Sequence, residues 1–252
     1  MATAGDKARA FAALHRPGEP LVLYNVWDAG SARAVAEAGA KALATGSASV
    51  AEAHGFHDAE ALPLDLALAN AARVAAAVEL PVTIDFEGAY GIEPEAVAAN
   101  IARLAATGAI GCNFEDQVIG GEGLHPVEAQ AARIRSARAA AGPDFFINAR
   151  TDIFLKTKAA THAPAAIDEA IARARAYAEA GASGFFVPGL VDLGQLAEIC
   201  AASPVPVNFM AFPGAPEASA VAAAGVARIS HGPFPYKLAM KALKEAAEAI
   251  YG

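Results

Sequence analysis

The stretch Ala-Ala-Thr-Gly-Ala-Ile-Gly-Cys-Asn-Phe-Glu, residues 105–115, contains the unit from which the fold is predicted. Its alanines are typical of a helix end, and Gly108 suits the left-handed turn that follows a helix. Ile110–Glu115 is then a short apolar run that ends in a carboxylate. The same order of small residues, glycine and apolar run recurs at 36–45, 178–188 and 222–230. The repeated unit is therefore a helix, a short turn and a buried strand.

Eight apolar runs of this kind are spread along the chain. They are Leu21–Asn25, Lys41–Thr45, Pro81–Asp85, Ile110–Glu115, Phe145–Ala149, Gly184–Pro188, Val205–Phe209 and Val226–Ser230. Helices are predicted between and after them at 29–38, 59–78, 94–107, 126–141, 165–180, 192–201, 215–224 and 236–249. Eight alternating strands and helices in 252 residues predict an α/β fold, a (β/α)8 TIM barrel forming a single domain over residues 1–252. An open doubly wound sheet is less favoured, because no Gly-x-Gly-x-x-Gly follows the first strand.

Composition narrows the classes of function. Hydrophobic residues make up 55% of the chain and charged residues 18%, which is ample for a core, yet no run is long and apolar enough to span a membrane. The N-terminal segment lacks a secretion signal, so we expect a cytoplasmic protein. A net charge of −8 without a basic cluster argues against nucleic acid as a partner. Cys112 and Cys200 have no CxxC spacing, which gives a disulfide or zinc site little support.

Acidic residues stand where two neighbouring predicted strands end. Asp85 and Glu87 follow the third strand, and Glu115 ends the fourth. Side chains at the carboxyl ends of barrel strands share one mouth. Grouped carboxylates favour a hard cation, Mg²⁺ with Mn²⁺ as an alternative. Salt bridges to a neighbour such as Arg150 are the competing interpretation.

Two further strand ends carry groups suited to an anionic ligand. Arg150 offers a guanidinium fork for a carboxylate, or alternatively a structural ion pair. The turn Thr45-Gly46-Ser47 offers backbone N–H groups, although an ordinary turn is almost as well supported. Trp27 is interpreted either as a wall of the pocket or as core. Four arginines on predicted helices are expected to be solvated: Arg33, Arg133, Arg135 and Arg138.

These motifs together resemble the isocitrate lyase/phosphoenolpyruvate mutase superfamily. The resemblance rests on Thr45-Gly46-Ser47, Gly55-Phe56-His57-Asp58, Asp85-Phe86-Glu87-Gly88-Ala89-Tyr90-Gly91, Glu115-Asp116-Gln117, Asn148-Ala149-Arg150-Thr151-Asp152 and Asn208. It implies that Asp85, Glu87 and Glu115 hold Mg²⁺ directly or through water. It also implies that Arg150 and the 45–47 turn bind the substrate carboxylate, that Asp58 lies on a gating segment beside the pocket, and that Asn208 contacts substrate.

The loop after Glu115-Asp116-Gln117 departs from the family pattern. Isocitrate and methylisocitrate lyases carry Lys-Lys/Arg-Cys-Gly-His there, whereas this chain has Gly121 at the lysine and Gly123 at the catalytic cysteine. Only His125 matches. Pro188 replaces a glutamate at the end of the sixth strand, and the lid lysine and asparagine of the phosphonate mutases are absent. We expect residues 120–123 to form a flexible lid.

The absence of the catalytic cysteine reduces the number of reactions that the sequence supports. Isocitrate cleavage needs a general acid, whose loss typically costs on the order of 10² to 10⁴ in rate. Decarboxylation of oxaloacetate needs only a metal-stabilised enolate and a late proton donor, either His125 or a metal-bound water. The sequence therefore predicts a Mg²⁺-dependent carbon–carbon lyase for a small 2-oxo or 2-hydroxy dicarboxylate, acting as a homo-oligomer, either dimer or tetramer. The alternatives are a phosphonopyruvate mutase or hydrolase, and a non-catalytic barrel that binds a 2-oxo acid.

Overall fold

The computed structural model describes residues 3–156 and 164–252, in which eight strands form one sheet. They are β1 Leu21–Leu23, β2 Leu43–Ala44, β3 Val82–Asp85, β4 Gly111–Glu115, β5 Phe146–Arg150, β6 Gly184–Phe186, β7 Val207–Met210 and β8 Arg228–Ser230. Neighbouring strands are parallel in the order β1-β8-β7-β6-β5-β4-β3-β2. A parallel bridge between Val26 and Thr45 joins the segments after β1 and β2 and closes the sheet. The predicted barrel is confirmed.

Helices alternate with these strands as predicted, with three additions. They are α1 Ala4–Ala13, α2 Ala29–Glu37, α3 Ser47–Ala53, α4 Leu64–Ala77, α5 Pro94–Ala105, α6 Val127–Ala141, α7 Ile153–Lys156, α8 Pro164–Glu179, α9 Leu193–Ala202, α10 Ala218–Ala223 and α11 Phe234–Tyr251. The short helices α3 and α7 follow β2 and β5 directly, and α1 precedes the first strand. The helix predicted over 59–78 begins only at Leu64, because Ala59 and Glu60 take left-handed backbone conformations.

The four repeated glycines end their helices as predicted. Gly39, Gly108, Gly181 and Gly225 have φ angles of +98°, +92°, +104° and +91°. In this region a side chain is strained, whereas glycine is not. The repeat thus reflects one turn used four times to lead a helix into the next strand.

Alternation along the strands separates an outer core from a polar interior. Phe114 of β4 lies under the Arg133 guanidinium of α6, and Phe185 of β6 packs edge-on against Tyr177 of α8. These buried rings fill the layer between sheet and helices. The neighbouring Asn113 therefore points to the barrel interior.

The expectation of four solvated arginines is half wrong. Arg33 and Arg135 are exposed as predicted. Arg133 is only 2% exposed, and Arg138 is half-buried and donates to the carbonyls of Gly181 and Phe145. Both arginines satisfy backbone carbonyls of neighbouring loops, which the helical spacing of charges does not reveal.

The last helix is largely exposed. Along α11, Met240, Leu243 and Ile250 form an apolar stripe at helical spacing, and the last two are 63% and 79% exposed. Val22 and Tyr24, in and just after β1, are also exposed. Within residues 3–156 and 164–252, no helix combines the length and apolarity needed to cross a bilayer.

Candidate active site

A cavity of about 210 Å³ opens at the carboxyl ends of the strands. It is lined by Asn25, Gly46, Ser47, Ala48, Asp58, Asp85, Asn113, Arg150, Leu155, Phe186, Pro188, Met210, Ser230, Gly232 and Pro233. Five predicted site residues are brought together here: Gly46, Ser47, Asp58, Asp85 and Arg150. The volume is below the range typical of pockets for drug-sized ligands, so it suits a small acid.

Asp85, at the end of β3, is held on both carboxylate oxygens. The backbone N–H of Ser47 donates to Oδ2 at 3.1 Å, and Nδ2 of Asn113 donates to Oδ1 at 3.2 Å. The Asp85 N–H in turn donates to Oγ1 of Thr45 at 3.0 Å. The predicted 45–47 turn thus begins α3 and orients Asp85, so the Ser47 N–H is already engaged by this carboxylate.

Glu87 lies in a backbone loop of unusual conformation. Glu87, Ala89 and Tyr90 have φ angles of +51°, +61° and +53°, a region that non-glycine residues seldom occupy. The Glu60 N–H donates to Oε2 of Glu87 at 2.7 Å, and the Glu60 carboxylate accepts from the Tyr90 N–H at 2.7 Å. Burial, followed by the charge of Asp58, raises the pKa of Glu87 to about 8. Strain and a raised pKa at one carboxylate are typical of functional sites.

Glu115 and Arg150 form a buried ion pair. Nη1 of Arg150 lies 2.9 Å from Oε2 of Glu115, and Nε and Nη2 contact the two oxygens of Asp152 at 2.6 and 3.0 Å. Burial raises the pKa of Glu115, and the Arg150 guanidinium opposes that rise. The structural ion pair considered for Arg150 is therefore present. A guanidinium has five N–H groups, so these three contacts leave two for a ligand in the cavity.

Asp116 supports this arrangement from behind. Its Oδ1 accepts from the Asp152 N–H at 3.0 Å, and its Oδ2 accepts from the Tyr177 hydroxyl and from Arg173. The carboxylate is fully buried and lies outside the cavity lining. Asp116 therefore fixes Asp152, which in turn orients Arg150.

The predicted metal-binding carboxylates are neighbours that repel one another. The charges of Asp85 and Glu87 both act to raise the pKa of Glu115, and the charge of Asp85 also raises the pKa of Glu87. Within the described residues, no three His, Cys, Asp or Glu side chains are already arranged to hold a metal ion. The three carboxylates are instead oriented by Ser47, Glu60 and Arg150. The chemistry of the donor set fits Mg²⁺, because a divalent cation would relieve this repulsion.

Asp58 lies at the rim of the cavity, on the segment that leads to α4. Partial burial of its carboxyl group, followed by the nearby charge of Asp85, raises its pKa. The Ser47 hydroxyl and the Ala59 N–H donate to it and oppose the rise. The predicted gating residue therefore belongs to the acidic cluster.

Three other predicted residues lie beside the cavity. Thr45 is buried and contacts the Asp85 backbone. Trp27 packs edge-on against Tyr236 of α11 and against the small apolar cluster under α3. Asn208 is buried in the barrel interior, where its Oδ1 accepts from the Ser230 hydroxyl at 3.3 Å.

His125 lines a second cavity of about 210 Å³, with Glu60, Tyr90 and Arg133 among its neighbours. The loop before it folds back through a bridge between Gln117 and Leu124. Burial lowers the pKa of His125, and the charges of Arg133 and Arg173 lower it further. The proposed proton donor is thus separated from the cavity that contains Asp85 and Arg150.

Sequence reasoning missed several residues that shape the site. Asn113 is a carboxamide in the middle of a largely apolar run of the sequence, and this polar residue was a usable signal. For Glu60 the sequence offered no such signal, because a helix was predicted over residues 59–78. Apart from Pro188, the apolar wall of the cavity was missed as well; it consists of Leu155, Phe186, Pro188, Met210 and Pro233.

Two larger clefts lie elsewhere, outside the barrel. One of about 850 Å³ runs along Val22, Tyr24 and α2, and one of about 620 Å³ lies between Tyr24, α10 and α11. Their linings are mainly apolar and lack the carboxylate cluster. We therefore assign the chemistry to the smaller cavity at the barrel mouth.

Comparison with known proteins agrees with this geometry. The profile of the phosphoenolpyruvate phosphomutase family matches residues 11–251. An uncharacterised protein of Mycobacterium tuberculosis is 36% identical over 242 residues, which cover 96% of this chain and 88% of the relative. A candidate phosphonomutase structure from Burkholderia cenocepacia is 51% identical with a TM-score of 0.95, covering 98% of this chain and 99% of that one. A 2,3-dimethylmalate lyase structure is 29% identical with a TM-score of 0.84, covering 100% and 88%.

Proposed function

Since the chain belongs to the isocitrate lyase/phosphoenolpyruvate mutase superfamily, we propose that it is a Mg²⁺-dependent carbon–carbon lyase for a small 2-oxo or 2-hydroxy dicarboxylate. Members of this superfamily are lyases, mutases and hydrolases that use Mg²⁺. Decarboxylation of oxaloacetate is the reaction that we favour. The observation that carries the proposal is that Asp85 and Arg150 line one cavity of about 210 Å³ together with the apolar side chains of Leu155, Phe186, Pro188 and Met210.

Asp85 and Arg150 of the cavity lining would face the 2-oxo acid end of the substrate. Asp85, Glu87 and Glu115 would hold Mg²⁺, directly or through water. When bound, the ion would withdraw electrons from the 2-oxo group and so favour loss of the second carboxylate, which is attached to the carbon next to that group, as CO₂. Arg150 would bind the first carboxylate with its two remaining N–H groups, since Asp152 and Glu115 already fix the guanidinium.

The apolar residues of the lining would face the carboxylate that leaves. Leu155, Phe186, Pro188 and Met210 line the cavity and offer no charge or hydrogen-bond donor to a carboxylate. A carboxylate placed there loses its hydration, whereas CO₂ is uncharged and is not penalised in the same way. An apolar wall therefore favours the product of decarboxylation. The resemblance implies a glutamate in the superfamily's lyases where this chain has Pro188, so a charged side chain is absent from this position of the lining.

Two observations bear on the proton donor. Gly123 carries no side chain, and His125 lines the neighbouring cavity. A donor is needed only after CO₂ has left, so solvent admitted past the rim at Asp58 is sufficient. Cleavage of isocitrate would need a positioned acid while the bond breaks, which these residues do not supply.

A phosphonate substrate is the second candidate, because a candidate phosphonomutase is 51% identical to this chain. The lid residues Gly120–Gly123 lack the lysine that would neutralise a phosphonate. Phosphorus NMR of phosphonopyruvate incubated with enzyme and Mg²⁺ tests this candidate. A new phosphate or phosphoester signal would show phosphonate chemistry and overturn the assignment as a carbon–carbon lyase.

We also propose that the protein is a homo-oligomer, with the dimer as its simplest form. The apolar stripe of α11 and the open apolar clefts beside Val22 and Tyr24 would otherwise both face water. Apolar patches of this kind in a soluble barrel typically mark a protein–protein contact. A second copy of the chain supplies both surfaces at once.

The test of activity uses metal-stripped protein and a panel of 2-oxo acids, with and without Mg²⁺. We expect loss of oxaloacetate that requires both protein and Mg²⁺, and that collapses in Asp85→Ala. The rate with Mg²⁺ alone is subtracted, because the free ion also promotes this reaction. Rates no higher than the ion alone on every acid, with saturable binding of one of them, would point to a non-catalytic binding barrel.

A further inference from the structure

A layer of buried polar side chains lies beneath the acidic cluster, inside the barrel. It contains Asn113 of β4, Asn148 of β5 and Arg228 of β8, which are 4%, 1% and 0% exposed. Arg228 is two residues before the end of its strand and does not line the cavity. A fully buried arginine is costly, so its contacts need an explanation.

Arg228 reaches Asp85 through one amide. Its Nη2 donates to Oδ1 of Asn113 at 3.2 Å, and Nδ2 of Asn148 donates to the same oxygen at 2.8 Å. Nδ2 of Asn113 then donates to Oδ1 of Asp85 at 3.2 Å. The chain of hydrogen bonds therefore runs from a buried cation to the carboxylate at the mouth.

The Arg228 guanidinium determines which groups donate and which accept along this series of hydrogen bonds. An amide such as Asn148 can present either a donor or an acceptor, whereas a guanidinium can only donate. The Asn113 atom that faces Arg228 must therefore be its oxygen, and its NH₂ group must face Asp85. With Arg228 absent, a flipped Asn113 would turn its oxygen toward the Asp85 carboxylate.

The Arg228 guanidinium is charged, and two of its three nitrogens are not engaged by other groups among the described residues. Within the described residues its Nε and Nη1 have no hydrogen-bond partner. Burial lowers the pKa of Arg228 to about 10, and the charge of Asp85 opposes that change, so the group is positively charged at neutral pH. Among the described residues, the hydrogen bond to Asn113 is the contact of Arg228 that leads toward the site.

We propose that Arg228 is a positioning residue: by fixing the Asn113 amide, it orients the Asp85 carboxylate to receive a divalent cation. This proposal rests on the proposed function for the role of Mg²⁺, but its geometric part does not. It concerns a residue that does not line the cavity.

Two substitutions at Arg228 distinguish the effect of hydrogen-bond direction from the effect of side-chain size. Arg228→Lys keeps a charged side chain that can only donate, whereas Arg228→Gln keeps a polar side chain that can donate or accept. By isothermal titration of Mg²⁺ into folded, metal-free protein, we expect Arg228→Gln to weaken binding roughly 10- to 100-fold, as is typical when an outer partner of a ligand is lost. We expect Arg228→Lys to stay within about threefold of wild type. Equal affinities for wild type and Arg228→Gln would overturn the proposal.

A double-mutant cycle tests whether the effect passes through Asn113. We expect the double variant Asn113→Leu with Arg228→Gln to bind Mg²⁺ no more weakly than Asn113→Leu alone, because the shared route is already cut. Additive losses of Mg²⁺ affinity would show that the effect of Arg228 does not pass through Asn113. Thr83→Val is the matched control, since Thr83 is buried on β3 and its hydroxyl lacks a partner among the described residues. Its affinity should equal that of wild type.

Crystal structures of metal-free wild type and Arg228→Gln supply a readout that does not depend on Mg²⁺. We expect the Asn113 amide and the Asp85 carboxylate to lie within hydrogen-bond distance in wild type and to move apart in the variant, because two facing oxygens repel. An unchanged contact overturns the positioning role, whatever the affinities. If wild type binds no Mg²⁺ yet the contact depends on Arg228, the proposed function fails and the positioning role stands.

Discussion

Arg133, on α6, donates a hydrogen bond of 2.6 Å from Nη2 to the backbone carbonyl of Gly88, one residue after Glu87. The same nitrogen also donates to the carbonyl of Gly91 at 2.8 Å. The loop from 87 to 91 contains three residues with positive φ, so its conformation must be imposed by its surroundings. A buried arginine on a helix thus maintains the strained loop that carries a candidate metal ligand.

Arg133→Met should destabilise the protein by about 3 kcal/mol, because it leaves two loop carbonyls without their charged donor. Arg135→Met is the matched control, since Arg135 is on the exposed side of the same helix. The control should change the free energy of unfolding by less than about 0.5 kcal/mol. Urea unfolding of both variants measures this difference. Equal stabilities would mean that the loop keeps its conformation without Arg133.

The pH dependence of stability should reveal a buried histidine at the floor of the barrel. His15 stacks on Phe146 with ring centroids 4.4 Å apart, and burial, followed by the charge of Arg228, lowers its pKa to about 3. Between pH 6.5 and about 3 the unfolded chain therefore binds a proton at His15 that the folded protein does not. The free energy of unfolding must fall as the pH falls through this window.

At pH 5 this single group should cost about 2 kcal/mol relative to neutral pH. We expect His15→Phe, which keeps an aromatic ring beside Phe146, to lack that part of the acid sensitivity. The measurement is urea unfolding of both proteins at pH 7 and pH 5. A loss on acidification that is the same in both would show that His15 does not titrate as its burial requires.

The sequence predicts the barrel and the neighbourhood of Asp85 and Arg150 for the same physical reason. Strand alternation and parallel pairing bring the carboxyl ends of strands to one mouth, so residues that are distant in the chain become neighbours by topology alone. Alternation and the order of strands and helices are read locally from the sequence, and the parallel pairing follows from that order. The acidic cluster could therefore be assembled from strand ends without any side-chain detail.

The roles of Glu60 and Arg133 could not be predicted in that way. Glu60 binds the Tyr90 N–H because residues 59 and 60 leave the helical conformation that their sequence allows. Arg133 is buried because two loop carbonyls require a donor. Each depends on backbone that is itself shaped by the tertiary fold. His125 shows the same limit, since the fold of the preceding loop decides which cavity it faces.

The apolar wall of the cavity should control the chemical step more than binding. Met210→Gln, a substitution of similar size, would place an amide where the leaving carboxylate is proposed to lie. A hydrogen bond there would stabilise the carboxylate more than CO₂, so we expect kcat for oxaloacetate to fall about tenfold, which corresponds to about 1.4 kcal/mol in the barrier. KM should stay the same or decrease. Met210→Leu keeps the wall apolar and should retain activity, and a loss of activity equal in both variants would argue for a packing effect.

The apolar stripe of α11 should hold the oligomer together. Leu243 and Ile250 share a face of the helix. Both side chains are more than half exposed to solvent in the described part of the chain. Introducing charge at both positions, as Leu243→Glu with Ile250→Glu, would oppose burial against a second copy. We expect light scattering after size-exclusion chromatography to show an oligomer for wild type and a monomer for the double variant. Lys244→Gln, an exposed neighbour outside the stripe, should leave the oligomer intact. A wild-type protein that is monomeric at all concentrations would show that α11 and the clefts beside Val22 serve another purpose.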